Sequence, residues 1–240
     1  MRLKKHIPSF LTCLNLMCGC VAVVFAFNNN LASAAYLVFV AAFFDLLDGV
    51  AARMLHAYSD FGKQMDSLAD MVSFGLVPGV VMYKLFQLPF NQLIADGGTL
   101  AVILGFYPFL ITVFSALRLA KFNIDVRQSD SFIGLATPAN TLVVVSWPLI
   151  IQSGQEAFTS FILNPYVMLA LITLQCYLLV AEIPMFSFKM KNFKWQGNET
   201  RYLFLLVSVI LLATFFYAAI PLIIFFYVLL SIVLNKLKTQ

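Results

Sequence analysis

Long unbroken apolar runs dominate this chain, and they decide which solvent it folds in. Eight stretches, 9–27, 31–54, 62–86, 98–121, 137–153, 161–182, 201–217 and 219–235, reach the roughly 17–25 residues that a helix needs to cross a hydrocarbon core. Backbone N–H and C=O groups in lipid must be satisfied within the segment, which selects helices; strand pairs of ten residues would not give such continuous runs. The expected fold is therefore all-α, a polytopic transmembrane helix bundle of about eight spans, read as one domain over residues 1–240. Composition agrees. Only 11% of residues are charged and 62% are hydrophobic, against about a quarter charged in soluble domains. The basic start, Met1 to His6, resembles the head of a signal peptide, but no small-residue cleavage site follows cleanly, so the first span is read as retained.

Basic residues set the expected orientation. With both termini in the cytosol, the segments 1–8, 55–61, 122–136, 183–200 and 236–240 and the adjoining span ends hold every Lys and Arg except Lys84. The intervening loops Asn28–Asn30, Pro89–Gly98 and Gly154–Ser160 contain none. The net charge of +4 reflects this bias and attraction to anionic lipid, and it does not point to nucleic acid. The four cysteines lack the His or second Cys cluster of a zinc site and read as small packing residues. His6 and His56 fall at the membrane surface, where solvation suits them.

Four acids contradict the surrounding apolar pattern. Asp45 and Asp48 lie three apart, and Asp66 and Asp70 four apart, so each pair shares a helical face. One Asp at a helix centre in a bilayer costs about 2.5–3.5 kcal/mol on insertion scales. Arg53 and Lys63 are the only nearby basic residues and cannot balance four carboxylates. Oxygen ligands without His or Cys suit hard cations such as Mg²⁺ or Mn²⁺, and two such ions would leave positions open for a diphosphate. Gly49, Ala52 and Gly62 interleave with the acids, letting helices approach closely or a ligand lie against backbone.

Written as a string, the residues are Asp45-x2-Asp48-Gly49-x2-Ala52-Arg53-x8-Gly62-x3-Asp66-x3-Asp70. This resembles the complete signature of the CDP-alcohol phosphotransferase family. The resemblance implies transfer of a phosphatidyl group from a CDP-linked lipid, such as CDP-diacylglycerol, to an alcohol, with release of CMP. It implies two divalent cations held by Asp45, Asp48, Asp66 and Asp70, with Asp70 also the base for the acceptor hydroxyl. It places Gly49, Ala52, Arg53, Ser59 and Gly62 at the CDP-lipid, and Thr12 and Asn15 in a nucleotide-facing N-terminal motif, Pro8-x3-Thr12-x2-Asn15. A homodimer is implied as well; the chain's size and compactness suggest a plasma membrane, and the signature straddles the expected cytosolic loop 55–61, which turns the active site to the cytoplasm.

The acceptor must be read elsewhere. Asn15-Leu16 with Cys18-Gly19, the stretch from Asp66 to Gly75, and Arg118-Leu-Ala-Lys121-Phe-Asn123 resemble members of the family that use L-serine. Gly134 to Ala139 matches a further stretch of those enzymes, with Ala136 in place of a Pro. A serine carboxylate needs a cation, for which Arg118 and Lys121 are placed; Asn123 could accept from the ammonium, and Ser73 could line the same pocket. Positive-inside anchoring explains Arg118 and Lys121 equally well. Other acceptors (glycerol 3-phosphate, an inositol phosphate, choline) stay open at this point. An ion or proton transporter would also carry intramembrane acids, yet would not need the Gly, Ala and Arg at fixed offsets. A scaffold would need neither.

Overall fold

The computed structural model describes residues 6–93, 103–125, 133–154, 156–186 and 195–239, and they are helical apart from short connections. The expected loop residues 94–98, 126–132 and 187–194 lie outside the described residues, and with them Arg127, Lys189, Lys191 and Lys194, as do Arg2, Lys4 and Lys5. Among the described residues, four helical stretches are long and apolar enough to cross a membrane: Ile7–Phe27, Leu31–Met54, Asp60–Gln87 and Glu199–Leu237. The protein is an all-helical membrane protein.

Helix α1 (Ile7–Phe27) and α2 (Leu31–Met54) form a hairpin. Its turn is closed by Asn30, whose side chain accepts the Ser33 N–H at 3.2 Å and caps α2. The buried residues of the pair are mostly small: Gly19, Ala22 and Ala26 on α1, and Ala34, Ala35 and Ala41 on α2. Side chains of this size let two helix backbones come close, so van der Waals contact replaces the hydrophobic drive that lipid removes.

The third apolar stretch forms a single continuous helix with a changed pitch at its middle. α3 (Asp60–Asp70) runs into a π-helical segment, Met71–Leu76, and then into α4 (Val77–Leu93). Widening the helix leaves carbonyls poorly matched along its own ladder. Neighbouring helices supply the missing donors. Thr141 Oγ1 donates to the Phe74 carbonyl at 2.8 Å, and Thr112 Oγ1 to the Gly75 carbonyl at 3.0 Å. The Ser73 hydroxyl donates to the Asn15 carbonyl at 3.0 Å. A Cβ on Gly19 would collide with Ser73, so glycine is what allows α1 to reach this segment.

A short 3₁₀ turn at Tyr107–Phe109 leads into α5 (Leu110–Ile124), which packs on α8 (Pro165–Val180). Between them in sequence stand α6 (Thr137–Gln152) and α7 (Glu156–Ile162). Within the expected span 161–182, one helix, α8, occupies Pro165–Val180, while Phe161 and Ile162 belong to the short α7 before it. Asn164 accepts the N–H groups of Tyr166 and Val167 at 3.0 and 3.3 Å, and Pro165 opens the next helix, so α7 stops and α8 begins anew. Gly134, with φ 75°, passes the Leu179 carbonyl where a Cβ would lie 2.9 Å away. This close approach ties the start of α6 to the end of α8, through Leu135 N–H to the Leu178 carbonyl at 2.9 Å.

α9 (Glu199–Phe215) and α10 (Ala219–Thr239) turn back on one another at Phe216, whose φ is 49°. Their contact is aromatic: the Phe204 ring stacks on Phe226 at 5.7 Å and meets Tyr227 edge-on at 6.0 Å. The main core lies between α1, α2, α4, α5, α6 and α8, with the long central helix buried among the rest.

Candidate active site

The acids are brought together as their spacing requires. Carboxylate oxygens of Asp45, Asp48 and Asp66 lie within 4.8 Å of one another, two from α2 and one from α3. Asp70, at the end of α3, stands beside Asp45, close enough for the two carboxyls to interact. Two carboxyls this close cannot both stay ionised unless a proton or a cation is shared between them. Among the described residues, none of the four forms an ion pair with Lys or Arg.

Helix α1 holds this cluster from behind. Thr12 Oγ1 donates to Asp48 Oδ2 at 2.6 Å, and Asn15 Nδ2 to Asp70 Oδ1 at 3.2 Å. Thr12 and Asn15 stand three apart and are both buried, so one face of α1 orients one acid from each pair. Sequence reasoning placed these two residues at the nucleotide; the structure gives their side chains carboxylate partners, with Thr12 also on a cavity wall.

That cavity, about 540 Å³, opens between α1, α2 and α3 and includes Asp48 and Asp66 in its wall. Gly49, Ala52, Ser59, Gly62 and Lys63 also line it. The two glycines do different things. A Cβ on Gly62 would press on Ser59 Oγ at 3.0 Å, and that oxygen accepts the Gly62 N–H and caps α3. A Cβ on Gly49 would meet nothing closer than Arg53 at 4.0 Å. The fold therefore makes no demand for glycine at 49, and the bare backbone faces open cavity.

The other anticipated residues have partners within the chain. Arg53 is exposed, with Nε donating to the Gly49 carbonyl at 3.0 Å. Lys121 pairs with Glu182 at 2.9 Å. Asn123 donates to Ser67 Oγ at 2.8 Å, and its carbonyl accepts from Lys63 Nζ at 3.0 Å. These two bonds join the end of α5 to α3. Ser73 is wholly buried against Asn15. Arg118 is 6% exposed, its Nε donates to the Leu135 carbonyl, and its charge acts on Asp70. Four oxygen-bearing acids, with the unpartnered Asn15 Oδ1 beside them, form a donor set suited to hard divalent cations. All four cysteines are free; Cys176 is buried and Cys18 half-buried, as packing residues would be, whereas Cys13 and Cys20 are exposed on α1.

The family model described as CDP-alcohol phosphatidyltransferase matches residues 5–176 of the 240. The chain belongs to this family. Among its relatives, the CDP-diacylglycerol–serine O-phosphatidyltransferase of Bacillus subtilis is 33% identical over 188 residues, which cover 77% of this chain and 92% of that protein. A Helicobacter pylori protein of the same name is 34% identical over 140 residues, or 58% of this chain and 55% of the relative. The archaetidylserine synthase of Methanothermobacter thermautotrophicus is 31% identical over 145 residues, 60% of this chain and 58% of that protein. This phosphatidyltransferase family member thus spans most of the Bacillus relative and a little over half of the other two.

Sequence reasoning missed Asn140, Thr141, Thr112 and Gln175. The available signal was polar side chains inside apolar spans. It was overlooked because none carries a formal charge. The π-helical segment had no readable signal.

Proposed function

We propose that the protein transfers the phosphatidyl group of CDP-diacylglycerol to the hydroxyl of L-serine, giving phosphatidylserine and CMP. The observation that carries this reading is the convergence of Asp45, Asp48 and Asp66 at the wall of a cavity that also presents the bare backbone of Gly49. The serine-specific names of the relatives support the acceptor.

Asp45, Asp48, Asp66 and Asp70 hold two divalent cations, Mg²⁺ or Mn²⁺. When bound, such ions neutralise charge on the oxygens of a transferring phosphoryl group. The cytidine diphosphate lies in the cavity against Gly49, Ala52, Ser59 and Gly62, where small side chains leave room for it. Arg53 can swing from the Gly49 carbonyl to a phosphate, since a charged acceptor binds a guanidinium more strongly than a neutral one. Thr12 and Asn15 keep Asp48 and Asp70 aimed into the site. Serine's hydroxyl oxygen attacks phosphorus, the bond from phosphorus to the CMP oxygen breaks, and Asp70 accepts the hydroxyl proton. Arg118 holds the serine carboxylate. Lys121 and Asn123 keep α5 seated at the membrane surface, and Ser73 fixes α1 against the central helix.

The whole chain works as one membrane domain of eight spans, as a homodimer in the plasma membrane. Both termini and the active site face the cytoplasm, which the distribution of Lys and Arg supports. There CDP-bearing lipid and soluble serine are both at hand. The test is CMP release from CDP-diacylglycerol by purified protein with Mn²⁺ or Mg²⁺ and a panel of alcohols. Serine-dependent release and a phosphatidylserine product are expected. Ion transport without CMP formation would refute the enzyme reading.

A further inference from the structure

The junction of α5, α6 and α8 holds buried polar side chains with no partner among the described residues. Asn140 is 0% exposed, and neither Oδ1 nor Nδ2 of its amide meets a hydrogen-bonding atom. Ser115 Oγ on α5 and both amide atoms of Gln175 on α8 are likewise buried and unpartnered. The three helices pack on one another in pairs. An unmet buried amide is destabilising, so a group of this kind at a junction next to a reaction site calls for a ligand from outside the chain.

Arg118 supplies a second, independent sign. Its Nε is engaged by the Leu135 carbonyl, just ahead of α6, and its guanidinium stands 5.8 Å over the Phe122 ring. Among the described residues, its two Nη nitrogens have no hydrogen-bond acceptor. α6 itself begins at this place. Its N-cap, Ala136, offers no side-chain oxygen, Pro138 has no N–H, and the first intrahelical bond runs from the Asn140 N–H to the Ala136 carbonyl at 3.0 Å. The N–H groups of Thr137 and Ala139 precede that bond and are left without helical partners. Thr141, next to Asn140, bonds the Phe74 carbonyl, which sets Asn140 level with the segment that follows Asp70.

We infer that this junction binds the charged groups of an α-amino acid acceptor, its carboxylate on the Arg118 Nη nitrogens and the α6 N-terminus, its ammonium on the Asn140 amide oxygen. The inference rests on serine transfer as proposed above and adds the residue that recognises the ammonium. A guanidinium fork matches a carboxylate. A neutral amide oxygen accepts from the ammonium without adding a fifth negative charge beside four acids. A site built this way rejects an acceptor lacking the ammonium, because Asn140 would then remain unmet.

Acceptor kinetics on the full chain, with saturating CDP-diacylglycerol and Mn²⁺, test the inference by comparing L-serine with 3-hydroxypropionate, which lacks the ammonium. Asn140→Ala is expected to raise the KM for serine by ~10-fold or more. It should raise kcat/KM for 3-hydroxypropionate, because the amide left unmet by that acceptor is gone, and leave the KM for the lipid donor in place. Equal losses on both acceptors, or an unchanged KM for serine, would overturn it. Should the alanine variant not fold, Asn140→Asp keeps the shape and the accepting oxygen; it is expected to prefer serine over 3-hydroxypropionate at least as strongly as the unaltered protein, and a lost preference overturns the inference. Unaltered protein that releases CMP with another alcohol and none with serine would instead break the serine reading itself, and the inference with it.

Discussion

The proposed donor side and the proposed acceptor side of this site are built in opposite ways. On the donor side, between α1, α2 and α3, Asp48 and Asp70 receive hydrogen bonds from α1, and the cavity wall is mostly backbone and small side chains. On the acceptor side, between α5, α6 and α8, the polar groups are deeply buried and Asn140, Ser115 and Gln175 lack partners altogether. On the reading proposed above, the donor pocket is held in shape by the chain, whereas the acceptor pocket is completed by its ligand. The difference matches the two substrates. A nucleotide diphosphate brings charge that metal ions and backbone can meet, and a small zwitterion must be recognised by a few placed side chains.

The contrast is broken most directly at Asp70. Asp70→Asn removes the proposed base while keeping the shape, and CMP release should fall by about 10²–10⁴-fold or more. Residual release near the unaltered rate would move the base elsewhere. Next in size is the metal dependence. Chelation should abolish activity, and Asp66→Asn should raise the Mn²⁺ concentration needed for half-maximal rate. A variant with unaltered metal titration would remove Asp66 from the ligand set.

Arg118→Gln sharpens the comparison, since it should raise the serine KM by ~10-fold or more and leave the donor KM in place. A rise in the donor KM instead would join the two pockets into one. Gly19, on α1 against Ser73, and Gly49, at the cavity, give the smallest and cleanest contrast. Gly19→Ala forces a methyl into Ser73 and should destabilise the fold by about 1–3 kcal/mol, measured as a lowered thermal midpoint. Gly49→Ala meets open space, so its thermal midpoint should hold while the donor KM rises. Equal destabilisation by both would make Gly49 a packing residue.

How far each region could be read in advance follows the same division. The donor side is local. Asp45 to Asp70 occupy two neighbouring helices, and helical periodicity alone places each acid pair on one face. The acceptor side draws on Ser115, Arg118, Asn140 and Gln175, four positions on three helices, and no spacing rule joins them. Thr12 and Asn15 show an intermediate case: their place in the site was legible, but their partners were not. The same holds for span 161–182, where apolar composition concealed a cap at Asn164 and a helix start at Pro165.

What the amino-acid order determined by itself is the solvent, the helical class and the set of four acids, because each depends on composition or on spacing within a few turns. Tertiary structure alone decided that α1 braces the carboxylates, that hydroxyls of Thr112 and Thr141 meet the carbonyls of the widened central helix, and that Asn140 is buried without a partner. Those outcomes depend on which helix faces which across tens of residues, and that choice is made by summed packing of small side chains in lipid, a quantity no short window of sequence contains.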